Sequence, residues 1–220
     1  MARKLKTIAN AYLYAKKYVI KKGFANEIDW QDEINYDSLS EKDIIREAAW
    51  IILSSGMNYY VVFKKFNELS PIFNNWEYEK NKFLNKGYII SKSLAVFNHG
   101  KKIEAIMNFI EFLYSEGLDS FKFNLKIKGV SYLKNLAFFG PATSYHFVKN
   151  LGLQFSKPDR HLNRISKKFG FESTDLFCSY LSKKIEEKKS IIDLVFWRYA
   201  TLDRNYLDHL DRYLIKSNYY

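Results

Sequence analysis

The chain has 220 residues, 47% hydrophobic and 18% aromatic, with only three prolines and nine glycines, which excludes a disordered segment and fits one substantial domain or two small lobes. Thirty-five Lys and Arg against 24 Asp and Glu leave a formal charge of +11, so a polyanion, nucleic acid first, is the leading partner class. The single cysteine, Cys178, excludes an intramolecular disulfide, a tetracysteine zinc site and an iron–sulfur cluster, and no run reaches the ~18 apolar residues of a membrane span.

In chain order, residues 3 to 22 place Leu5, Ile8, Ala9, Leu13 and Ala15 at helical spacing among basic positions and stop at Gly23, which predicts an amphipathic first helix. Residues 24 to 39 carry Asp29, Asp32, Glu33 and Asp37 with little periodicity and read as a linker or surface loop. Ser40-Glu41-Lys42-Asp43 ahead of Ile44 to Leu53 is an N-cap serine with an acidic first turn, opening a strongly apolar, buried helix. Tyr59 to Leu69 restarts a helical pattern after Gly56, and Ser70-Pro71 opens another that should run to about Asn85. Lys101 to Ser115 sets Ile103, Ile106, Met107, Ile110 and Leu113 on one face before a C-capping Gly117. Phe121 to Lys128 alternates like a strand, but it is isolated and reads better as a loop or short helix. Val130 to Leu136 reads as a short helix, Ala137 to Pro141 as a tight joint centred on Gly140, and Ala142 to Leu151 as a second helix. Ser173 to Lys189 and Ile191 to Leu214 read as the last two.

Two helices joined this tightly expose backbone N–H groups at the start of the second, an anchor for phosphate that needs no charged side chain. Downstream, Pro158-Asp159 reads as a helix entrance with Asp159 at its cap, followed by Arg160-His161-Leu162-Asn163-Arg164. Taken together, Leu136 to Ser144 and Asp159 to Arg164 resemble the helix-hairpin-helix (HhH-GPD) DNA glycosylase superfamily. The hairpin of that family is commonly Leu-Pro-Gly-(Ile or Val)-Gly-x-(Lys or other)-Thr-Ala, and its downstream motif is Asp-x-His-(Val or Leu)-x-Arg. Leu136, Gly140, Thr143, Asp159, His161 and Arg164 match, with Phe139 at the branched aliphatic position. Ala137 and Phe138 replace Pro-Gly, and phenylalanine does not take a positive φ as glycine does. A fainter similarity runs from about residue 40 to 170.

The resemblance implies an all-α, two-lobed helical fold of the HhH-GPD glycosylase type. Residues 40 to 150 would form a helical barrel ending in the hairpin, residues 1 to 39 would pack with 151 to 220 as the second lobe, and a flipped base would lie between the lobes. It implies that Asp159 is the catalytic carboxylate, stabilising oxocarbenium character at the sugar C1′ and activating water; a capping residue is the alternative. Relatives that also nick DNA attack the sugar with a lysine in the second hairpin helix. Ala142 stands there, and Lys134, Lys149 and Lys157 do not match the position, so base excision without strand cleavage is expected. Hairpin contacts to DNA fall on Phe139, Gly140, Ala142 and Thr143. Phosphate contacts fall on Lys149, Arg160, Arg164, Lys167 and Lys168, with His161 among them.

Ile52 to Asn58 stands where many relatives have Leu-Ser-Gln-Gln-Thr, so Met57 or Asn58 is the candidate to fill the gap left by an extruded base; core packing is the equal alternative for Met57. Trp50, Tyr59, Tyr60, Tyr145 and Trp197 are stacking candidates, although most of the 4 Trp, 17 Tyr and 18 Phe must be core. Glu47, one turn before Trp50, is either a carboxylate reading a base edge or a partner in a core ion pair. His146 and His161 lack metal-ligand spacing, so no side-chain metal is expected, while the resemblance allows a monovalent cation on hairpin carbonyls and implies no other cofactor. The expected partner is double-stranded DNA, bound by a cytoplasmic monomer and not at a membrane. Alkylated, oxidised, deaminated or mismatched bases are the repair substrates; a hypermodified base in phage DNA would make the same chemistry a defence. A non-catalytic hairpin DNA-binding protein and a helical interaction protein with incidental charge are the competing classes.

Overall fold

The computed structural model describes residues 2–77 and 85–215, with the side chains of residues 2–6, 214 and 215 left outside that description. Among the described residues all regular structure is helical, so the chain is all-α. No described helix is long and apolar enough to cross a membrane. The helices are α1 (Ala2–Lys21), α2 (Ala25–Glu33), α3 (Glu41–Ser54), α4 (Tyr59–Leu69), α5 (Lys86–Val96), α6 (Gly100–Glu116), α7 (Leu118–Lys128), α8 (Pro141–Asn150), α9 (Arg160–Lys168), α10 (Thr174–Ile185), α11 (Lys189–Leu202) and α12 (Tyr206–Ile215). The chain divides into two compact units, Asn35–Leu151 and Met1–Ile34 with Gly152–Tyr220.

Within Asn35–Leu151, α3 is the spine. Ser40 Oγ accepts from the Asp43 N–H at 3.3 Å, and Asp43 Oδ2 accepts in return from the Ser40 N–H at 2.9 Å. This reciprocal cap satisfies two of the orphan donors at the helix start. Ile44, Ile45, Ala48, Ala49, Ile51, Ile52 and Leu53 are all buried, and α3 packs against α6, α8 and α4. At about 1.5–3 kcal/mol for each large aliphatic side chain taken from water, this helix anchors whatever it carries.

In the other unit α11 is central, packing on α1, α2, α9 and α10. On α1 the buried face is Ile8, Ala11, Tyr12, Ala15 and Val19, spaced i, i+3, i+4, i+7 and i+11. Leu13, expected on that face, is half-exposed, and the Leu5 side chain lies outside the described residues. Cys178 is buried and unpaired in this core.

Several sequence expectations are corrected. Residues 24 to 39 are not a linker: they form α2, whose Ile28 and Gln31 are buried, and a short 3-10 turn, Tyr36–Ser38. Two buried side chains per helix give too weak a period to read locally, and α2 is held instead by packing on α11. No helix starts at Pro71. The chain makes turns there and a 3-10 segment, Asn74–Trp76, in which all three residues have positive φ, and Trp76 is buried against Phe66 and Phe73. The rest of that expected helix falls on residues 78–84, outside the described residues. Helix α5 was not foreseen, and Val130 to Leu136 is a 3-10 turn, Gly129–Leu133, followed by irregular chain, whereas Phe121 to Lys128 is helical within α7, in keeping with the short-helix alternative. The span from Ile191 to Leu214 is two helices. Asp203 breaks it: Oδ1 accepts from the Asn205 N–H at 2.9 Å, while Oδ2 takes the Tyr199 hydroxyl at 3.1 Å and His209 Nδ1 at 2.5 Å. The helix opened by Ser173 ends at Ile185, where Glu186 adopts a left-handed conformation.

Candidate functional site

The hairpin lies in Asn35–Leu151. Its second helix, α8, begins with Gly140 at the N-cap, with no side-chain cap, and Pro141 at the first position. Pro141 has no N–H to leave unpaired, and the first-turn N–H groups of Ala142 and Thr143 precede the helix ladder and find no carbonyl within it. Gly140 and Ala142 are exposed, and a Cβ at Gly140 would meet only Thr143 Oγ1, at 4.0 Å. The φ of Gly140 is −72°, which any residue adopts. Nothing among the described residues therefore requires glycine here.

Phe138, which stands where the motif that this segment resembles has its first glycine, takes a positive φ, 67°. That conformation costs a non-glycine residue roughly 1 kcal/mol or more. The neighbours over-determine it. Thr143 Oγ1 donates to the Phe138 carbonyl at 2.7 Å and shares with the Gly140 carbonyl at 3.0 Å, while Ser144 Oγ donates to the Phe139 carbonyl at 3.0 Å. These are the hairpin oxygens that a monovalent cation would use, and each is already an acceptor, that of Gly140 also taking the Ser144 N–H at 2.9 Å. No group of three or more His, Cys, Asp or Glu suited to a metal occurs among the described residues.

Phe139 does not face a ligand. Its ring is buried, stacked on Phe109 at 5.6 Å and edge-on to Phe147 at 5.1 Å, so it ties the hairpin to the core rather than to DNA. Lys149, expected at a phosphate, is likewise buried on α8. It acts on Glu47 instead. Burial raises the Glu47 carboxyl above its ordinary value, while a 2.8 Å bond from Asn150 Nδ2 and the charges of Arg46 and Lys149 partly offset that rise. Glu47 is thus tied to α8 through the amide of Asn150.

A residue that the motif reading passed over, Lys102, completes this region. It is only 2% exposed, yet has no carboxylate partner among the described residues. Its Nζ donates to the carbonyls of Leu53 and Ser55 at 2.7 and 2.6 Å, and lies 5.5 Å from the Phe138 ring centre. Burial lowers its pKa to about 8. Lys102 therefore caps the C-terminal end of α3 and braces the hairpin residue in the strained conformation. Its place one turn before Ile106 on the apolar face of α6 was the available signal.

The turn between α3 and α4 leaves Met57 40% exposed, which removes the core alternative for that residue. Asn58 caps α4, its Oδ1 accepting from the Tyr60 N–H at 2.9 Å. Trp50 is half-buried with the rings of Tyr59 and Phe66 edge-on to it, Tyr59 and Tyr60 are exposed, and Tyr145 is half-buried.

Asp159 lies in the other unit and caps α9. Its Oδ1 accepts from both the His161 and Leu162 N–H groups, at 2.8 and 2.9 Å, and no hydrogen bond to Oδ2 occurs among the described residues. The turn before it is held by side chains from elsewhere. Asp193, 2% exposed on α11, accepts the Lys157 N–H at 2.6 Å; Asn163 Nδ2 donates to the Pro158 carbonyl at 3.2 Å, and Thr174 Oγ1 donates to Asn163 Oδ1 at 2.9 Å. Neither Asp193 nor this Asn163 clamp could be found by motif.

Arg160 Nε donates to His161 Nε2 at 3.2 Å, which leaves His161 Nδ1 to carry the proton toward the Tyr206 hydroxyl at 3.3 Å. Burial lowers the His161 pKa, in keeping with that neutral form. Arg160, Arg164 and Lys167 share one exposed face of α9 at i, i+4 and i+7, whereas Lys168 is engaged by Asp211 at 2.7 Å. Trp197, a stacking candidate, is covered by Arg198 at 4.6 Å from its ring centre.

No protein family, no curated protein and no solved structure matches this chain. The likeness to the glycosylases rests on the motif residues themselves.

Proposed function

We propose that this protein is a monofunctional DNA glycosylase of the helix-hairpin-helix type, which flips a modified base from duplex DNA and hydrolyses its N-glycosidic bond. The observation that carries the reading is the division of labour within Asp159. One carboxylate oxygen takes both cap bonds, and the other accepts no hydrogen bond among the described residues, at the start of a helix whose exposed face carries Arg160, Arg164 and Lys167. As the bond from C1′ to the base nitrogen breaks, its electron pair leaves with the base and positive charge develops at C1′. The Asp159 carboxylate stabilises that charge and takes the proton of the water that attacks C1′. Arg160, Arg164 and Lys167 supply phosphate contacts, and the open N–H groups at the start of α8 supply another. Ala142 offers no amine where lyase relatives place one, so an intact strand with an abasic site is the expected product.

The test incubates the protein with duplexes carrying single alkylated, oxidised, deaminated, mismatched or hypermodified bases, followed by hot alkali. Base release by the wild type and its loss in Asp159→Asn supports the reading; full activity of the variant, or strand cleavage without alkali, sinks it. Capping alone would account for Asp159 in a non-catalytic DNA-binding protein. That reading is favoured if no duplex in the panel loses a base while binding stays steeply dependent on salt.

A further inference from the structure

The start of α4 presents a set of rings that lie outside its buried stripe. Val62, Phe66 and Leu69 form the buried stripe of this helix, at spacings of four and three. Outside that stripe Tyr60 is 81% exposed, Tyr59 58%, Phe63 52% and Val61 49%, with Met57 at the preceding turn. Exposed apolar groups scattered singly need no explanation, but a contiguous patch marks a contact surface.

The rings are arranged by one another. Tyr59 stands at the hub, edge-on to Trp50 at 5.7 Å and to Tyr60 at 5.5 Å, and nearly parallel to Phe63 at 6.0 Å and 21°. Trp50 is in turn packed on the buried Phe66 at 5.4 Å, which roots the cluster in the core. A ligand meeting this face finds aromatic surfaces already oriented, so little side-chain entropy is lost on contact. Lys64 follows Phe63 and sits one turn beyond Tyr60, exposed and with no ion pair among the described residues; Lys65 beside it is occupied by Glu68 at 2.9 Å. No acidic residue lies in the first turn of the helix.

We infer that this face is a stacking platform for unpaired nucleotides, and that the protein engages single-stranded DNA there. Flat, sequence-tolerant aromatic surfaces beside an uncommitted cation, on a chain of net charge +11, match base faces and a phosphate backbone together. A paired duplex hides its base faces and offers only phosphates and edges, which rings cannot stack upon. The inference rests on the DNA-binding part of the proposed function and adds a substrate class to it: DNA with an open strand, as in a bulge, a gap or a displaced segment.

The experiment measures binding of the full chain to fluorescein-labelled oligothymidylate and to a duplex of equal length, by anisotropy, for wild type and Tyr60→Ser/Phe63→Ser. Both substituted side chains are exposed, and circular dichroism checks that helicity is kept. The expected result is that preference for the single strand falls about tenfold or more in the variant. An unchanged preference overturns the inference, as does sedimentation showing that wild type self-associates through this face and the variant does not. Base release is assayed with the same protein preparations on the panel of modified duplexes. A wild type that binds oligothymidylate through these rings but releases no base from any duplex of that panel counts against the glycosylase reading and leaves the platform standing.

Discussion

The hairpin and the Asp159 turn are two short irregular segments, each ending in a helix start, and they are held in opposite ways. The hairpin is stabilised by bonds that close within five residues, from Thr143 and Ser144 back to Phe138, Phe139 and Gly140, and by rings stacked beneath it. The Asp159 turn is stabilised from a distance, by Asp193 on α11 and by Thr174 through Asn163. The hairpin tolerates an unfavourable backbone angle because its contacts are dense and local. The aspartate turn contains no strained residue, and its accuracy depends on a tertiary frame.

The sharpest way to break this contrast is at Asp159 itself. Asp159→Asn keeps an acceptor oxygen for the cap, so stability should change by less than about 0.5 kcal/mol while base release falls about 10²–10⁴-fold. Asp159→Ala should lose the same activity and about 1 kcal/mol besides. Full base release by Asp159→Asn would mean that the side chain matters only as a cap. Next is Asp193→Ala, which leaves the Lys157 N–H unpaired. Urea denaturation should show a loss of about 1–3 kcal/mol, and base release should fall about ten- to a hundredfold although residue 193 touches no DNA.

On the hairpin side, Lys102→Met should cost about 1–3 kcal/mol at neutral pH, because the Leu53 and Ser55 carbonyls lose their donor. The pH dependence identifies the cause. Lys102 sheds its proton near pH 8 in the folded state and near 10.5 when unfolded, so the unfolded chain binds more protons between those values and wild-type stability should rise there. Melts of Lys102→Met across that window should lack this rise. The smallest effect is a difference between two substitutions. Both Phe138→Gly and Phe138→Ala lose the ring contacts with Lys102 and His99, but only glycine relieves the 67° φ, so the glycine variant should be about 1 kcal/mol more stable than the alanine variant by urea titration. Equal stabilities would show that Phe138 carries no backbone strain.

Legibility follows the same division. Caps and strongly apolar stripes were readable because they are local: Ser40 with Asp43, the face of α6, Gly117 after it, and Asp159 before α9. The helices that were misread lacked such marks. Helix α2 buries two residues, α5 buries only Ile89 and Ser93, and the break at Asp203 depends on Tyr199 and His209 folding back onto one carboxylate. Among site residues, Phe139 and Lys149 were expected to face outward and are buried, while Lys102, Asp193 and the exposed ring cluster on α4 were visible only once neighbouring helices were in place.

By itself the sequence determined an all-helical chain of strong positive charge, a tight hairpin and an aspartate poised at a helix start, because capping, periodicity and charge act over a few residues. Tertiary structure decided how the turn ahead of that aspartate is held, which buried cation lies beside the Phe138 ring, and which aromatic rings remain in water. The first two depend on partners from 11 to 49 positions away in the chain, and no local pattern encodes them.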